Sequence, residues 1–333
     1  MTVITPNPGK SEMPPVIGAA TGVIAAPVFL PWYKRAWDHD VAYSFRKSPV
    51  IIVAALVALV MIGAFMFAPF IAPYDPFNPA SLNLMDGFVP PMSVSPFSGT
   101  YHLFGTDSLG RDVFSVILYG GRISVFVGFL ATLFALALGI TLGLIAGYVG
   151  GKTDAVVMRV ADVQLTFPSI LIALLVFGIA RGIIPPQYHN DMAVWVLIIA
   201  IGLANWAQFA RTVRGAAMVE RQKDYVQAAR IIGIRPAKIL QRHVLPNVMS
   251  PVLVLATINL ALAILDEATL SFLGVGVPAT QPSLGTLIRV GQQFLFSGEW
   301  WILFFPAVAL VLLALSVNLL GDWLRDALNP RLR

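Results

Sequence analysis

The sequence predicts an all-α polytopic membrane protein with six transmembrane helices and both termini on the inner side. Three observations carry that reading. Of 333 residues, 57% are hydrophobic and only 12% charged, with a mean hydropathy of +0.79. An average soluble domain carries roughly 25% charged residues, so a water-soluble globule is excluded. Six long stretches contain no Asp, Glu, Lys or Arg: Val50–Ile71, Ile123–Val149, Val163–Ala180, Met192–Ala210, Val248–Leu265 and Trp300–Leu320. About 20 apolar residues at ~1.5 Å rise cross a ~30 Å hydrocarbon core. Finally, of 22 basic residues, 18 fall in the segments that are inner when the N-terminus is inside, and only Arg111, Arg122, Arg181 and Arg289 fall outside. Basic residues accumulate on the cytoplasmic side, so the net charge of +5 is a topology signal and nucleic acid is not an expected partner. With no cysteine in the chain, disulfides, thiolate metal sites and cysteine nucleophiles are excluded.

The elements follow in order. Residues 1–45 read as a cytoplasmic tail. Val16–Leu30 resembles a signal-peptide core but lacks a basic region ahead of it, is too short to span, and is punctuated by Pro27 and Pro31, so the tail is expected to stay uncleaved. After the first span, residues 74–120 are rich in Pro, Gly, Ser and Asn and are expected to hold turns with little regular structure. The second span carries Gly139, Gly143, Gly147 and Gly151 at intervals of four. They form one ridge along which a neighbouring backbone can approach closely. The stretch from Ala146 to Thr153 (AGYVGGKT) mimics a phosphate loop, but a phosphate loop needs a strand before it and a helix after it. A membrane helix precedes this one, and ATP binding by the chain is rejected.

His39, His102, His189 and His243 are scattered over four segments and give no metal-ligand spacing. No nucleophile motif is present, so no catalytic residue is expected. Between the fourth and fifth spans, the loop from Arg211 to Pro246 is far longer than a connector requires. Glu220–Ile232 reads as a helix stopped by Gly233, and Arg235-Pro236 restarts a second one. Ala228 and Ala229 would allow a partner to come close, with basic residues supplying polar contacts; a loop lying on anionic lipid is the alternative. Asp266 and Glu267 sit near the outer edge of the fifth span. Either they line the outer mouth of a pathway, or they make structural hydrogen bonds or meet water; the sequence does not choose.

At this loop the chain becomes recognisable. Gln227-Ala228-Ala229, Gly233 and Leu245-Pro246 resemble the EAA loop of ABC importer permeases. Five further stretches make the chain similar to the dipeptide/oligopeptide/nickel subfamily, C-type subunit: Phe67–Asp75 (FAPFIAPYD), His102–Asp112 (HLFGTDSLGRD), Tyr119–Ser124 (YGGRIS), Asp266–Gly274 (DEATLSFLG) and Gly321–Arg331 (GDWLRDALNPR). The resemblance covers residue 45 to the C-terminus. Two positions depart from it: Gln227 stands where the family has Glu, and His243 where it has Ile. Gln keeps reach without charge, and His243 is expected to have a structural role.

The resemblance implies a type I ABC importer permease fold. Its division is a tail at 1–48, the first helix and outer segment at 49–120, a five-helix core at 121–321 with a coupling loop at about 211–246, and a tail at 322–333. It implies a multi-pass protein of the cytoplasmic (inner) membrane that moves di- or oligopeptides, with nickel or another small solute as the alternative. The implied partners are a second homologous permease subunit, two ABC ATPase subunits, and a periplasmic or lipid-anchored solute-binding protein, in a setting of membrane lipid. ATP and Mg would be bound by the ATPases, leaving no cofactor in this chain. A self-sufficient secondary transporter is the rival from another class; it predicts repeated halves and ionisable groups at the midplane, which the sequence lacks. A membrane scaffold without transport activity is a second rival.

Overall fold

The computed structural model describes residues 40–78, 83–278 and 280–328. Most of the proline-rich tail and the last residues, Arg331 and Arg333 among them, lie outside the described residues. Among the described residues, five helices are long and apolar enough to cross a membrane, and a sixth crossing arises if one bent pair is a single span.

Helix α1 (Asp40–Lys47) leads into α2 (Pro49–Met66), with Pro49 in the first turn, where its missing N–H costs nothing. The first expected span does not run unbroken to Ile71. It breaks at Phe67, and a single turn, α3 (Ala68–Ile71), follows with Pro69 in its first positions. The outer segment is more ordered than its composition predicts. It folds into a compact cap with a hairpin, β1 (Ser93–Val94) against β2 (Tyr101–His102), paired Ser93 with His102 and Val94 with Tyr101. Inside the cap Arg111 and Asp107 form a buried ion pair, 2.7 Å apart. Gly105, at φ +77°, lies so close to Val89 O and the Trp301 ring that a Cβ would sit 2.5 Å from the carbonyl. Only glycine fits there.

The second span starts well before Ile123. Helix α4 runs Val113–Val149, and Asp112 caps it by accepting hydrogen bonds from Ser115 N (2.8 Å) and Oγ (2.7 Å). Residues 113–120 are therefore helix rather than loop. The third expected span is also corrected: Val163–Ala180 crosses a break. Helix α5 (Gly151–Leu165) and α6 (Ser169–Ile183) meet at 101° around Pro168. A proline removes an N–H and forces the preceding residue out of helical geometry, an effect that averaging hydropathy over a window hides. α5 is held across the bundle by Gln164, whose amide donates to Leu203 O (2.6 Å) and Ala204 O (2.9 Å) and accepts from Trp206 Nε1 (2.7 Å).

Helix α7 (His189–Glu220) packs along α4. The glycine ridge is what lets it: a Cβ at Gly139, Gly143 or Gly147 would lie 2.4, 2.5 and 2.7 Å from Phe209 Cβ, Ala210 O and Arg214 O. Gly151 does not belong to this ridge; it opens α5 at φ +59°, with nothing within 4 Å. The AGYVGGKT stretch thus forms the end of α4 and the start of α5. Past the loop, α8 (Asp224–Ile231) and α9 (Pro236–Ile239) lead through a π-helical stretch, Leu240–Val244, into α10 (Leu245–Phe272). Helix α11 (Leu284–Phe294) lies across α10 and α12 (Trp301–Leu328). Pro251 and Pro306 sit within α10 and α12, as membrane bundles tolerate when neighbours satisfy the freed carbonyl.

Candidate functional site

The loop between α7 and α10 is the part of the chain that looks outward with a defined shape. α7 ends at Glu220, nearly three turns later than the apolar stretch, and the chain turns at Arg221–Lys223 before α8 begins at Asp224. The expected single helix Glu220–Ile232 is thus two pieces. Buried Glu220 organises the turn: it receives a hydrogen bond from the Tyr225 hydroxyl and pairs with Lys223 Nζ. Asn247 at the start of α10 donates to Tyr225 Oη (2.9 Å) and to His243 O (2.7 Å). Hydrogen bonding to Glu220 holds the Lys223 ammonium above its usual pKa. Burial, then the Glu220 carboxylate, push the Tyr225 phenol up. Both groups keep their protons, so the network is fixed at neutral pH.

α8 has two faces. Val226 and Ala229 are buried against the ends of α4 and α7. Gln227, Ala228 and Arg230 are exposed, and Ile231 and Ile232 are 87% and 77% exposed. The close approach expected of both alanines therefore falls to Ala228; Ala229 is used up in the chain's own core. Gly233 takes φ +82° and closes the helix with two bonds, Gly233 N to Arg230 O and Ile234 N to Ala229 O, each 3.0 Å. This is the Schellman arrangement, which needs a left-handed residue at that point. Pro236 opens α9 and Pro246 lies in the first turn of α10, with Leu245 half-buried beneath it. Gln227 Nε2 donates to Arg221 O at 3.0 Å.

Two contacts that no local sequence pattern announces fasten the loop to α4. Arg221 Nη1 donates to Tyr148 O (2.9 Å), and the Arg230 guanidinium lies over the Tyr148 ring, 4.7 Å from its centroid, with Nε donating to Oη at 3.2 Å. These partners are 73 and 82 residues apart in the chain.

The two acids of α10 stand far from this loop and from each other's surroundings. Asp266 is half-buried and accepts a hydrogen bond from Asn205 Nδ2 (3.2 Å). Glu267 is wholly buried. Its Oε1 accepts from Ser271 Oγ (2.7 Å). The hydroxyls of Ser124 and Ser283 also lie near the carboxyl group, and its Oε2 makes no hydrogen bond. Glu267 thus faces the interior between α4, α10 and α11, and only Asp266 of the two presents any surface.

Residues 139–333, more than half of the chain, match the family described as binding-protein-dependent transport system inner membrane component. The chain belongs to that family. Similar curated proteins include the dipeptide transport system permease protein of Alkalihalophilus pseudofirmus, 37% identical over 285 residues and covering 84% of this chain and 86% of that one. The di/tripeptide transport system permease protein of Pseudomonas aeruginosa is 35% identical over 300 residues (90% and 92%), and the oligopeptide transport system permease protein of Bacillus subtilis 35% over 294 residues (88% and 90%). A solved inward-facing structure of the MetNI methionine ABC transporter has a TM-score of 0.51 at 19% identity, covering 64% of this chain and 96% of that one; it supports the fold alone. As an inner membrane component of this family, the chain is a multi-pass permease of an ABC importer, a system that includes ATPase and other subunits.

Proposed function

We propose that this permease carries di- or oligopeptides inward by alternating access, with a second homologous permease completing the pathway. In this reading the N- and C-termini are cytoplasmic and the 83–112 cap faces the periplasm, where a solute-binding protein delivers the substrate. Two ATPase subunits bind ATP and Mg; this chain supplies no ATPase residue. Peptides are favoured because the three relatives named above are peptide permeases by name.

The observation that carries the reading is the exposed face of α8. An isolated aqueous loop does not leave two adjacent isoleucines nearly bare beside Gln227 and Ala228 unless something covers them. A groove on an ATPase is the cover proposed. Closure of the ATPase dimer then pushes a loop that is already rigid, and the helices exchange between two packed arrangements.

The test uses the complete importer. Gln227→Cys and Ala228→Cys in the permease, paired with cysteines along the ATPase groove, are expected to cross-link in membranes, and peptide uptake is expected to require hydrolysable ATP. An intact complex in which neither position cross-links overturns the docking assignment. Uptake that persists without ATPase subunits supports the secondary-transporter rival instead.

A further inference from the structure

Helix α4 is unusual in its reach. Its 37 residues extend ~55 Å, against ~30 Å of hydrocarbon, and no proline interrupts Val113–Val149. One end is Tyr148, only 7% exposed, gripped by the loop through ring, hydroxyl and carbonyl as described above. The other end is embedded in the cap: Asp112 caps the helix with one oxygen, while its Oδ1 meets His102 Nδ1 at 3.0 Å, and His102 Nε2 meets Thr100 Oγ1 at 2.9 Å. A single unbroken helix therefore has the coupling loop fixed to one end and the cap fixed to the other.

We infer that Tyr148 is a positioning residue for transport: through its contact with Arg230 it makes α4 the rod that passes coupling-loop movement directly to the cap. The inference rests on the coupling-loop reading above and adds the route by which movement leaves the loop. The contact suits the task. A guanidinium over a phenol ring resists displacement along the ring normal, and the Nε–Oη bond resists sliding. The carbonyl bond from Arg221 ties the same residue to the end of α7. Beside Tyr148 the helix is packed closely on α7: a Cβ added at Gly147 would lie 2.7 Å from Arg214 O and 2.9 Å from Ala217 Cβ.

The experiment uses the assembled importer in proteoliposomes with three readouts: uptake per ATP hydrolysed, Gln227→Cys cross-linking to the ATPase, and maleimide labelling of Phe97→Cys, an exposed cap position. Tyr148→Leu is expected to keep the cross-link, lower uptake per ATP roughly tenfold, as loss of a partly desolvated cation–π contact allows, and abolish the ATP-dependent change in Phe97→Cys labelling. Tyr148→Phe, which keeps the ring, is expected to restore most of the coupling. Should Tyr148→Leu not be recovered intact, Arg230→Gln removes the same contact from the exposed side and is expected to give the same uncoupling. Unchanged uptake per ATP and unchanged cap labelling in the leucine or glutamine variant overturn the inference. Absence of the cross-link in the parent protein overturns the docking reading instead, so the two failures are told apart.

Discussion

A close backbone approach between α4 and α7 gives a test that needs no partner subunit. Gly143 of α4 meets α7 so tightly that an added Cβ would stand 2.5 Å from Ala210 O, 2.8 Å from Val213 Cβ and 3.1 Å from Ala210 Cα. Two of the three atoms are backbone and cannot rotate away. To reach an ordinary contact of 3.4 Å, the two helices must part by about 0.9 Å at this point, and overpacking of that size typically costs about 1–3 kcal/mol. The neighbouring ridge positions Gly139 and Gly147 share the same partner helix, so the separation cannot be taken up by a local tilt without loosening them too. For a chain of this size the cost corresponds to a fall in Tm of roughly 1–4 °C. Thermal unfolding of the detergent-solubilised protein, followed by the loss of its monodisperse gel-filtration peak, measures it. Gly178→Ala is the control: it lies within α6, and an added Cβ meets nothing within 4 Å, so it is expected to leave Tm unchanged or raise it slightly. If Gly143→Ala melts with the control, the helices are not held at the separation argued from the ridge.

Two further outcomes are expected. Glu267→Gln is expected to keep the fold, because its amide still accepts from Ser271 and can donate to the neighbouring serines, whereas Glu267→Leu strands buried hydroxyls at a cost of about 1–3 kcal/mol; equal melting temperatures for the two variants would show that hydrogen bonding is not what this side chain contributes. The cap has an acid-sensitive element in Asp86: burial raises its pKa, but hydrogen bonds from Ser95 and Ser98 and the charge of His102 outweigh burial and leave it below the ordinary 3.8. A depressed carboxylate contributes stability that is complete above the unfolded value and lost as pH falls through the folded one, so protease nicking of 83–112 should rise only below about pH 4 and Asp86→Asn should flatten that profile; identical profiles would refute the role given to the carboxylate.

What was legible in the sequence was whatever depends on neighbours in the chain. Runs without charge located the spans, because solvation by lipid acts on each stretch separately. The four-residue glycine spacing announced a close helix contact, and Gly233 and Pro236 marked the stop and restart in the loop through their own backbone preferences. What was missed depends on partners far away or on a single residue inside a favourable average. Pro168 bends the third span by 101° although the surrounding hydropathy reads as continuous. Gly151 has the right spacing for the ridge but lies past the helix end, where the spacing ceases to mean a shared face. Between Ala228 and Ala229 nothing in the sequence chooses; the packing of α8 on α4 and α7 buries one and leaves the other. Asp266 and Glu267, equivalent on paper, are separated by the 100° turn between successive helical residues, which aims one at Asn205 and the other at a pocket of serines.

The glutamine in the loop shows how such a choice can be read once the geometry is known. Where the family motif has a carboxylate, Gln227 donates its amide to Arg221 O, a bond that a carboxylate cannot make because it has no proton to give. The turn Arg221–Lys223 is thereby closed from both sides, by Gln227 on its outer face and by Glu220 bonded to Lys223 and Tyr225 on its inner one. The acid at Glu220 already pairs with Lys223, so a carboxylate at 227 would remove a bond from the turn without completing that pair. Gln227 therefore exchanges a charge that a partner could read for a stiffer turn within the chain. On the docking reading proposed above, recognition on this face falls to shape and to apolar contact, for which Ala228, Ile231 and Ile232 are exposed.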